Sequence, residues 1–453
     1  MMKQIARDKW SSKAGFILAA AGSAIGLGNI WKFPYSVGVN GGGAYVALYL
    51  LFLVIIGIPL MLAAITLGRK TQLSVFGAYK SIDKRWSFVG ALAVICGFVI
   101  LAFYSAVGGW VLYYFKNAVT GKLNTTDAAT LTGIFTDMMN SPKILIFYQL
   151  MFMLLTIMIV IKGIKKGIES SSKIMMPALF ILLIIIAVRS VTLQGSMEGI
   201  KFLLVPDFSK ITMDVAKNAM GQVFFSLSIG MGVMITYGSY LDKEENLLTT
   251  AVSIPILDTI AALIAGFATI PAVFALGFEA GEGPGLMFIT LPAVFASMPM
   301  GQLFCILFFL LVIFAALTSS ISMLEICVSY FVDERNEDRA KATLTIGTLI
   351  FLLGIPASLS LVEGSGFRLG SLAFFDVYDK LSSNILLTTG AFLLSIFVAW
   401  VVTTKEAVKE IESSGVVFKL ANVWSFLLKY IVPVGVFIIL ISSYKDFIVS
   451  IFQ

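Results

Sequence analysis

Histidine is absent from the 453-residue chain, cysteine occurs three times, and charged residues make up only 13% of it. The first absence removes imidazole-based catalysis and the commonest nitrogen ligand of transition metals. Cys96, Cys305 and Cys327 fall in separate apolar runs without paired spacing, which leaves no support for a disulfide framework or a cysteine metal cluster. Scarce charge beside 58% hydrophobic residues and a mean hydropathy of +0.96 excludes a water-soluble domain of this length. The chain is read as a polytopic membrane protein. Its first apolar run has no small-residue cleavage site and is followed by many similar runs, so it is expected to stay in the mature protein.

Apolar runs of about 20 residues, the length that crosses a bilayer, predict eleven spans at 14–37, 45–67, 87–114, 145–161, 174–191, 219–239, 249–276, 302–332, 343–361, 375–402 and 426–442. An odd number puts the termini on opposite sides. With the N-terminus in the cytoplasm, the cytoplasmic segments hold 20 lysines and arginines and the outer ones fewer than half as many. The positive-inside rule favours that orientation, with an extracellular C-terminus. The net charge of +6 resides in these loops, and no basic patch interleaved with aromatics points to nucleic acid. The longest outer connections, 115–144 and 192–217, are too short for independent domains, so residues 1–453 are taken as one transmembrane unit.

The stretch GSAIGLGNIWKFP, Gly22 to Pro34, interrupts the first span with three glycines, an asparagine, a lysine and a proline. A weak echo, SLSIGMGV at Ser226 to Val233, lies in the sixth. Spans one to five and six to ten would then be units of opposite topology, repeats of about 10–192 and 215–403 with an extra helix at about 424–444. Paired broken helices in inverted repeats point to a midplane binding site in a secondary transporter. The plainer reading is close packing through Gly22, Gly26 and Gly28. Against it, Asn29, Lys32, Ser226 and Ser228 adjoin the glycines, and freed backbone is tolerated in lipid only where it is buried or lines a cavity.

Asp258 lies well inside the seventh span, where a carboxylate needs a cation or partner. Ala315, Thr318 and Ser319 share a face of the eighth, although hydroxyls there commonly bond back to their own helix. Glu325 follows and also needs a partner.

Together these stretches resemble the neurotransmitter:sodium symporter family, bacterial branch, over nearly the whole chain: WSSKAGFILAAAGSAIGLGNIWKFPY, NGGGAY, GQVFFSLSIGMGVMITYGSY, GPGLMFITLPAVF and AALTSSIS. The resemblance implies an all-α integral membrane protein of LeuT-type fold: eleven transmembrane helices, a 5+5 inverted repeat, and broken helices one and six. It implies a sodium-coupled symporter importing hydrophobic L-amino acids by alternating access, and no enzyme. A non-transporting amino-acid sensor on the same scaffold is the alternative, one expected to carry an extra soluble domain.

The resemblance also assigns roles. One sodium site takes positions matched by Ala24, Asn29, Ser226 and Asp258, the other those matched by Gly22, Ile25, Ala315, Thr318 and Ser319. The substrate carboxylate falls to the amides around Leu27 and Gly28 and to Tyr104, and the ammonium to carbonyls near Ala24, Phe225 and Ser226 and to Ser228. Amine-carrying relatives have an aspartate at Gly26, so the ligand here is expected to bring its own carboxylate. Ile100, Tyr104, Phe225, Met231, Ser319 and Met323 would line an adaptable side-chain pocket. Lys32 with Asp379 and Arg7 with Asp333 match the outer and inner gate pairs, with Tyr240 near the latter and Phe225 as lid. Gly167 and Pro177 in the fifth span could let its cytoplasmic end unwind. Two departures stand out. Ala64 replaces a glutamate, for which Glu325 could compensate, and Ala262 replaces the serine of chloride-dependent relatives while Asp258 supplies fixed negative charge, so chloride is not expected. Membrane lipid, a bacterial inner-membrane location and a monomer or weak dimer complete the expectation.

Overall fold

The computed structural model describes residues 8–277 and 285–452. Among these, nine helices are long and apolar enough to cross a bilayer: Gly43–Thr71, Lys84–Val119, Pro142–Val160, Ile164–Val191, Leu247–Ala275, Gly301–Arg335, Arg339–Leu359, Phe374–Glu412 and Ala421–Val449. A tenth span is the pair Lys13–Ala24 and Gly28–Val39, bent by 51° at the break. Between the fifth and seventh spans stand two shorter helices, Met213–Ser226 and Val233–Gly238, separated by a non-helical stretch. Counting that broken segment as one crossing agrees with the eleven expected.

The helix starts follow from side chains that take up amides left without intrahelical acceptors. Ser12 accepts from Gly15 N–H, Thr212 from Val215 N–H, Asn246 from Thr249 N–H and Asp338 from Lys341 N–H. The breaks follow from the backbone. Span one leaves its helical path at Ile25, with ψ near 85°, and span six passes through left-handed conformations at Ser228, Gly230 and Gly232. Gly230 meets Gly390 of span ten so closely that a Cβ on Gly390 would lie 2.2 Å from the Gly230 carbonyl oxygen. No larger residue fits there.

Some features go beyond the sequence reading. Span five begins at Ile164, because Lys165 and Lys166 point outward while Glu169 is buried against hydrogen-bond donors, and span ten runs on to Glu412. The connections contain helices Val75–Ile82, Ala128–Met139, Ser196–Leu204 and Leu286–Ala296. Arg368–Leu369 and Leu372–Ala373 form a small antiparallel ribbon within an otherwise helical architecture. The fifth span, whose Gly167 and Pro177 could let it unwind, is wound through both here.

Polar contacts tie the apolar spans together where lipid could not satisfy them. Gln149 of span four donates to Ser105 Oγ at 3.0 Å and accepts from Ser358 Oγ at 2.7 Å, joining spans three, four and nine. On the face that carries the N-terminus, the guanidinium of the fully buried Arg69 bonds to the Glu410 carboxylate, the carbonyls of Lys243, Glu245 and Glu410, and Ser413 Oγ. It joins the end of span two to the loop after span six and the end of span ten.

Candidate functional site

The two breaks face each other in the middle of the molecule. Gln222 of span six donates to the Gly28 carbonyl at 3.0 Å, and Ser228 Oγ donates to the Ser23 carbonyl at 3.4 Å. Ser319 of span eight donates to the same Ser23 carbonyl at 3.2 Å, while the Ser23 and Ser322 hydroxyls lie 2.6 Å apart. Gly28–Lys32 opens the second half of span one, so the amides at Leu27 and Gly28 are those of a helix N-terminus, suited to an anion.

A cavity of about 30 Å³ lies between the breaks, lined by Ser23, Ala24, Gly26, Leu27, Gly28, Ile100, Tyr104, Phe225, Ser228, Met231, Ser319 and Met323. Every residue expected around the substrate except Ser226 is in that lining, and Ser23 is the residue the sequence reading missed. The Tyr104 hydroxyl is buried without a hydrogen bond of ordinary geometry and faces the Leu27 amide and Ser319. A Cβ on Gly26 would lie 2.4 Å from Ser319 Oγ and 3.4 Å from the Tyr104 hydroxyl. The wall at Gly26 therefore carries no anchoring side chain.

Ser226 turns away from the cavity toward Asp258. Its hydroxyl lies 2.8 Å from each Asp258 carboxylate oxygen and 3.2 Å from Asn29 Oδ1, while Asn29 Nδ2 donates to Asp258 Oδ1 at 2.7 Å. Tyr49 of span two donates to Asp258 Oδ2 at 3.1 Å, a fourth member that nothing in the sequence singled out. All four are buried. Ala24, the fourth residue expected at this sodium position, lines the adjoining cavity.

The second expected sodium set is also drawn together. A Cβ on Gly22 would lie 3.1 Å from Thr318 Cβ, and Ile25 ends the first half of span one with its N–H on the Ala21 carbonyl at 2.7 Å. Thr318 Oγ1 bonds back to the Phe314 and Ala315 carbonyls at 3.0 and 3.1 Å. Such hydroxyls keep a lone pair for a further partner. Oxygen atoms of carbonyls and hydroxyls are the donor type that suits a hard cation such as sodium.

Phe225 separates the small cavity from a larger one of about 540 Å³, which opens toward the far face between spans one, six, ten and eleven. Lys32 borders that larger cavity, and its ammonium lies 4.3 Å from the Phe225 ring centroid. The expected pairing with Asp379 is not made: no ion pair within 4 Å joins the two described residues, and Asp379 accepts from Ser383 Oγ at 3.0 Å. The aromatic face gives the ammonium a competing partner beside the open space.

At the N-terminal face, Arg7 lies outside the described residues, so its pairing with Asp333 is not described. Asp333 accepts from the Ser74 amide at 2.7 Å. Tyr240 donates to Glu325 Oε1 at 2.7 Å, and the buried Trp10 packs edge-on against Tyr237 and Tyr240. Glu325 is held by Tyr240 and by Arg339, which forms an ion pair with it, whereas Ala64 borders Ser228, Gly230 and Ile235. Glu325 thus has two partners of its own, Tyr240 and Arg339, away from the lining that Ala64 shares with Ser228.

Two broken helices enclosing a small polar cavity, with a larger cavity beyond Phe225, are the arrangement of a secondary transporter. The chain belongs to the Sodium:neurotransmitter symporter family, whose pattern matches residues 7–143 and 143–452. It is 43% identical to an uncharacterized sodium-dependent transporter, YhdH, of Bacillus subtilis, over 96% of this chain and 97% of that protein. An uncharacterized sodium-dependent transporter of Haemophilus influenzae is 41% identical, over 96% of this chain and 98% of the other. The crystal structure of MhsT in complex with L-phenylalanine superposes with a TM-score of 0.89 at 43% identity, covering 96% of this chain and all of that one. The fold is therefore of LeuT type, and the protein is a sodium-coupled transporter rather than an enzyme.

Proposed function

We propose that the protein imports hydrophobic L-amino acids, aliphatic and aromatic alike, together with two sodium ions by alternating access. The observation that carries this reading is the cavity between the breaks. It combines a helix N-terminus and a phenol suited to a carboxylate with apolar walls of Ile100, Met231 and Met323. The glycine wall at Gly26 leaves the carboxylate to the substrate. The complex of MhsT with L-phenylalanine supports the class.

In this reading Asn29, Ser226 and Asp258, with the Ala24 carbonyl, hold one sodium beside the substrate carboxylate. Gly22, Ile25, Ala315, Thr318 and Ser319 hold the other. Shared ligands make each species raise the other's affinity. Each sodium moving inward gains about 2.3 kcal/mol per 100 mV of membrane potential, so two support on the order of a thousandfold accumulation. The Asp258 carboxylate supplies the negative charge at the first sodium, and chloride is not required. The 13–192 and 213–412 halves act as inverted repeats, and the N-terminal face is cytoplasmic in a bacterial inner membrane. The protein then works as a monomer or weak dimer in lipid.

The test is uptake of labelled leucine and tryptophan into liposomes holding the protein, with an inward sodium gradient and then with potassium in its place. Uptake of both only with sodium is the expected result. One amino acid accepted and the other excluded would overturn the broad specificity, and binding without uptake would favour a sensor.

A further inference from the structure

We propose that Asp8 and Glu169 form a reciprocal lock that makes the release of the start of span one and the opening of the start of span five a single event. This rests on the alternating-access reading, in which the N-terminal face must open.

Each carboxylate holds the helix start of the other's segment, Asp8 by capping it and Glu169 by holding its cap residue and the residue before it. Asp8, just ahead of span one, accepts from the Ile164 amide at 3.2 Å, the first amide of span five. Glu169, at the end of the first turns of span five, accepts from the Ser11 amide at 2.7 Å, from Ser11 Oγ at 2.5 Å and from Ser12 Oγ at 3.0 Å. Ser12 is in turn the cap of span one. Lys173 adds an ion pair to Glu169 at 2.7 Å. The approach is close enough that a Cβ on Gly15 would lie 2.0 Å from Glu169 Oε1, and one on Gly163 would lie 2.6 Å from Asp8 Oδ2.

Helix starts carry orphan amides and a partial positive charge, so a carboxylate there stabilises the first turn. Here span one is capped by its own Ser12, which Glu169 holds in place, and the start of span five has no side-chain cap from its own N-cap residue and takes its acceptor from Asp8. If the start of span one moves away, Asp8 leaves with it and the Ile164 amide loses its acceptor. If the first turns of span five unwind, Glu169 is withdrawn from Ser11 and Ser12. Each motion weakens what holds the other segment, which is positive coupling. The first turns of span five are also poorly self-supported: Ile164–Glu169 is wound as a π-helix, and Pro177 denies the helix one amide bond further on. The caps are what keeps this end wound.

The test is amide hydrogen exchange of the full-length protein in lipid nanodiscs, comparing the unmodified chain, Ser11→Ala, Asp8→Ala and the double variant. No Ser11 atom bonds to Ile164, yet Ser11→Ala is expected to speed exchange at 164–168 by about fivefold, the scale of one lost hydrogen bond. In the Asp8→Ala background, where the lock is already broken, the same change is expected to add nothing at 164–168. Acceleration by Ser11→Ala confined to 11–16, or an undiminished effect in the Asp8→Ala background, would overturn the lock. Glu169→Gln serves as a second probe should Asp8→Ala fail to fold, with the same two outcomes. Sodium-driven uptake by the unmodified protein is measured separately. Its loss alongside coupled exchange overturns the transport reading and leaves the lock standing, and intact uptake with independent exchange does the reverse.

Discussion

Asn29 holds Asp258 twice, through one side-chain nitrogen that donates to the carboxylate at 2.7 Å and to the backbone carbonyl at 3.0 Å. The first residue follows the break in span one and the second sits in the unbroken span seven, so the second half of a broken span is tied directly to a continuous one. A buried carboxylate with three donors and no cationic side chain bonded to it is costly unless a cation joins it. Asp258→Asn keeps the shape and removes the charge. Its sodium dependence of uptake is expected to shift to at least about tenfold higher concentration, roughly 1.4 kcal/mol of lost cation affinity. The unmodified protein is expected to transport equally in chloride and in gluconate. An unchanged sodium dependence in Asp258→Asn would place this carboxylate outside the cation site.

Gly26 sets what the ligand must bring. With Ser319 Oγ at 2.4 Å from any Cβ there, Gly26→Asp both overfills the cavity and places a charge where the substrate carboxylate would lie. Leucine and tryptophan uptake is expected to fall to background while the purified protein keeps its thermal stability within a few degrees. Gly26→Ala, overfilling without charge, is expected to reduce tryptophan uptake more than that of the smaller leucine. Equal loss of both in Gly26→Ala would mean that the wall acts through the backbone and not through space.

Arg69 is wholly enclosed, and its donors reach a carboxylate, a hydroxyl and three carbonyls. Removing it strands these acceptors, a loss of about 3–5 kcal/mol for one partner of a buried pair. Arg69→Ala is expected to lower the melting temperature strongly. Arg69→Lys should recover little of it, because a single ammonium cannot reproduce a planar fork. A small change in Arg69→Ala would show that water replaces the guanidinium.

The breaks were legible because a helix interruption leaves its cause in the local sequence. Glycines beside asparagine and serine, at Gly22 to Asn29 and Ser226 to Gly232, announce freed backbone in a segment that lipid would otherwise forbid. Asp258 was legible because a lone carboxylate in an apolar run has few structural excuses. Tyr49 was not, since a tyrosine in an aromatic-rich span looks like packing until Asp258 is brought to its hydroxyl from 209 residues away. Ser23 hid in the same way among small residues, and its part depends on Ser228, Ser319 and Ser322 arriving from two other spans. Arg69 was counted as a loop charge, because burial of a cation at a span end is decided by the tertiary neighbours that enclose it. The gate pair at Lys32 and Asp379 was matched by position, whereas the contact itself is decided by tertiary neighbours, Phe225 for Lys32 and Ser383 for Asp379.

Tyr49 offers the last prediction, one that separates a positioning role from a merely structural one. Its ring packs against Phe33, with centroids 5.3 Å apart, and its hydroxyl is one of three donors to the Asp258 side chain. Tyr49→Phe preserves the ring and removes the hydroxyl, so the core should hold, while the carboxylate loses a charge-assisted hydrogen bond of about 1.5–3 kcal/mol. A carboxylate with fewer donors turns more readily, which weakens an aligned cation site. The apparent sodium affinity is expected to fall between about threefold and tenfold, with the rate at saturating sodium within about twofold of the unmodified protein. A fall in maximal rate at unchanged sodium affinity would instead assign Tyr49 to the movement of span one against span two.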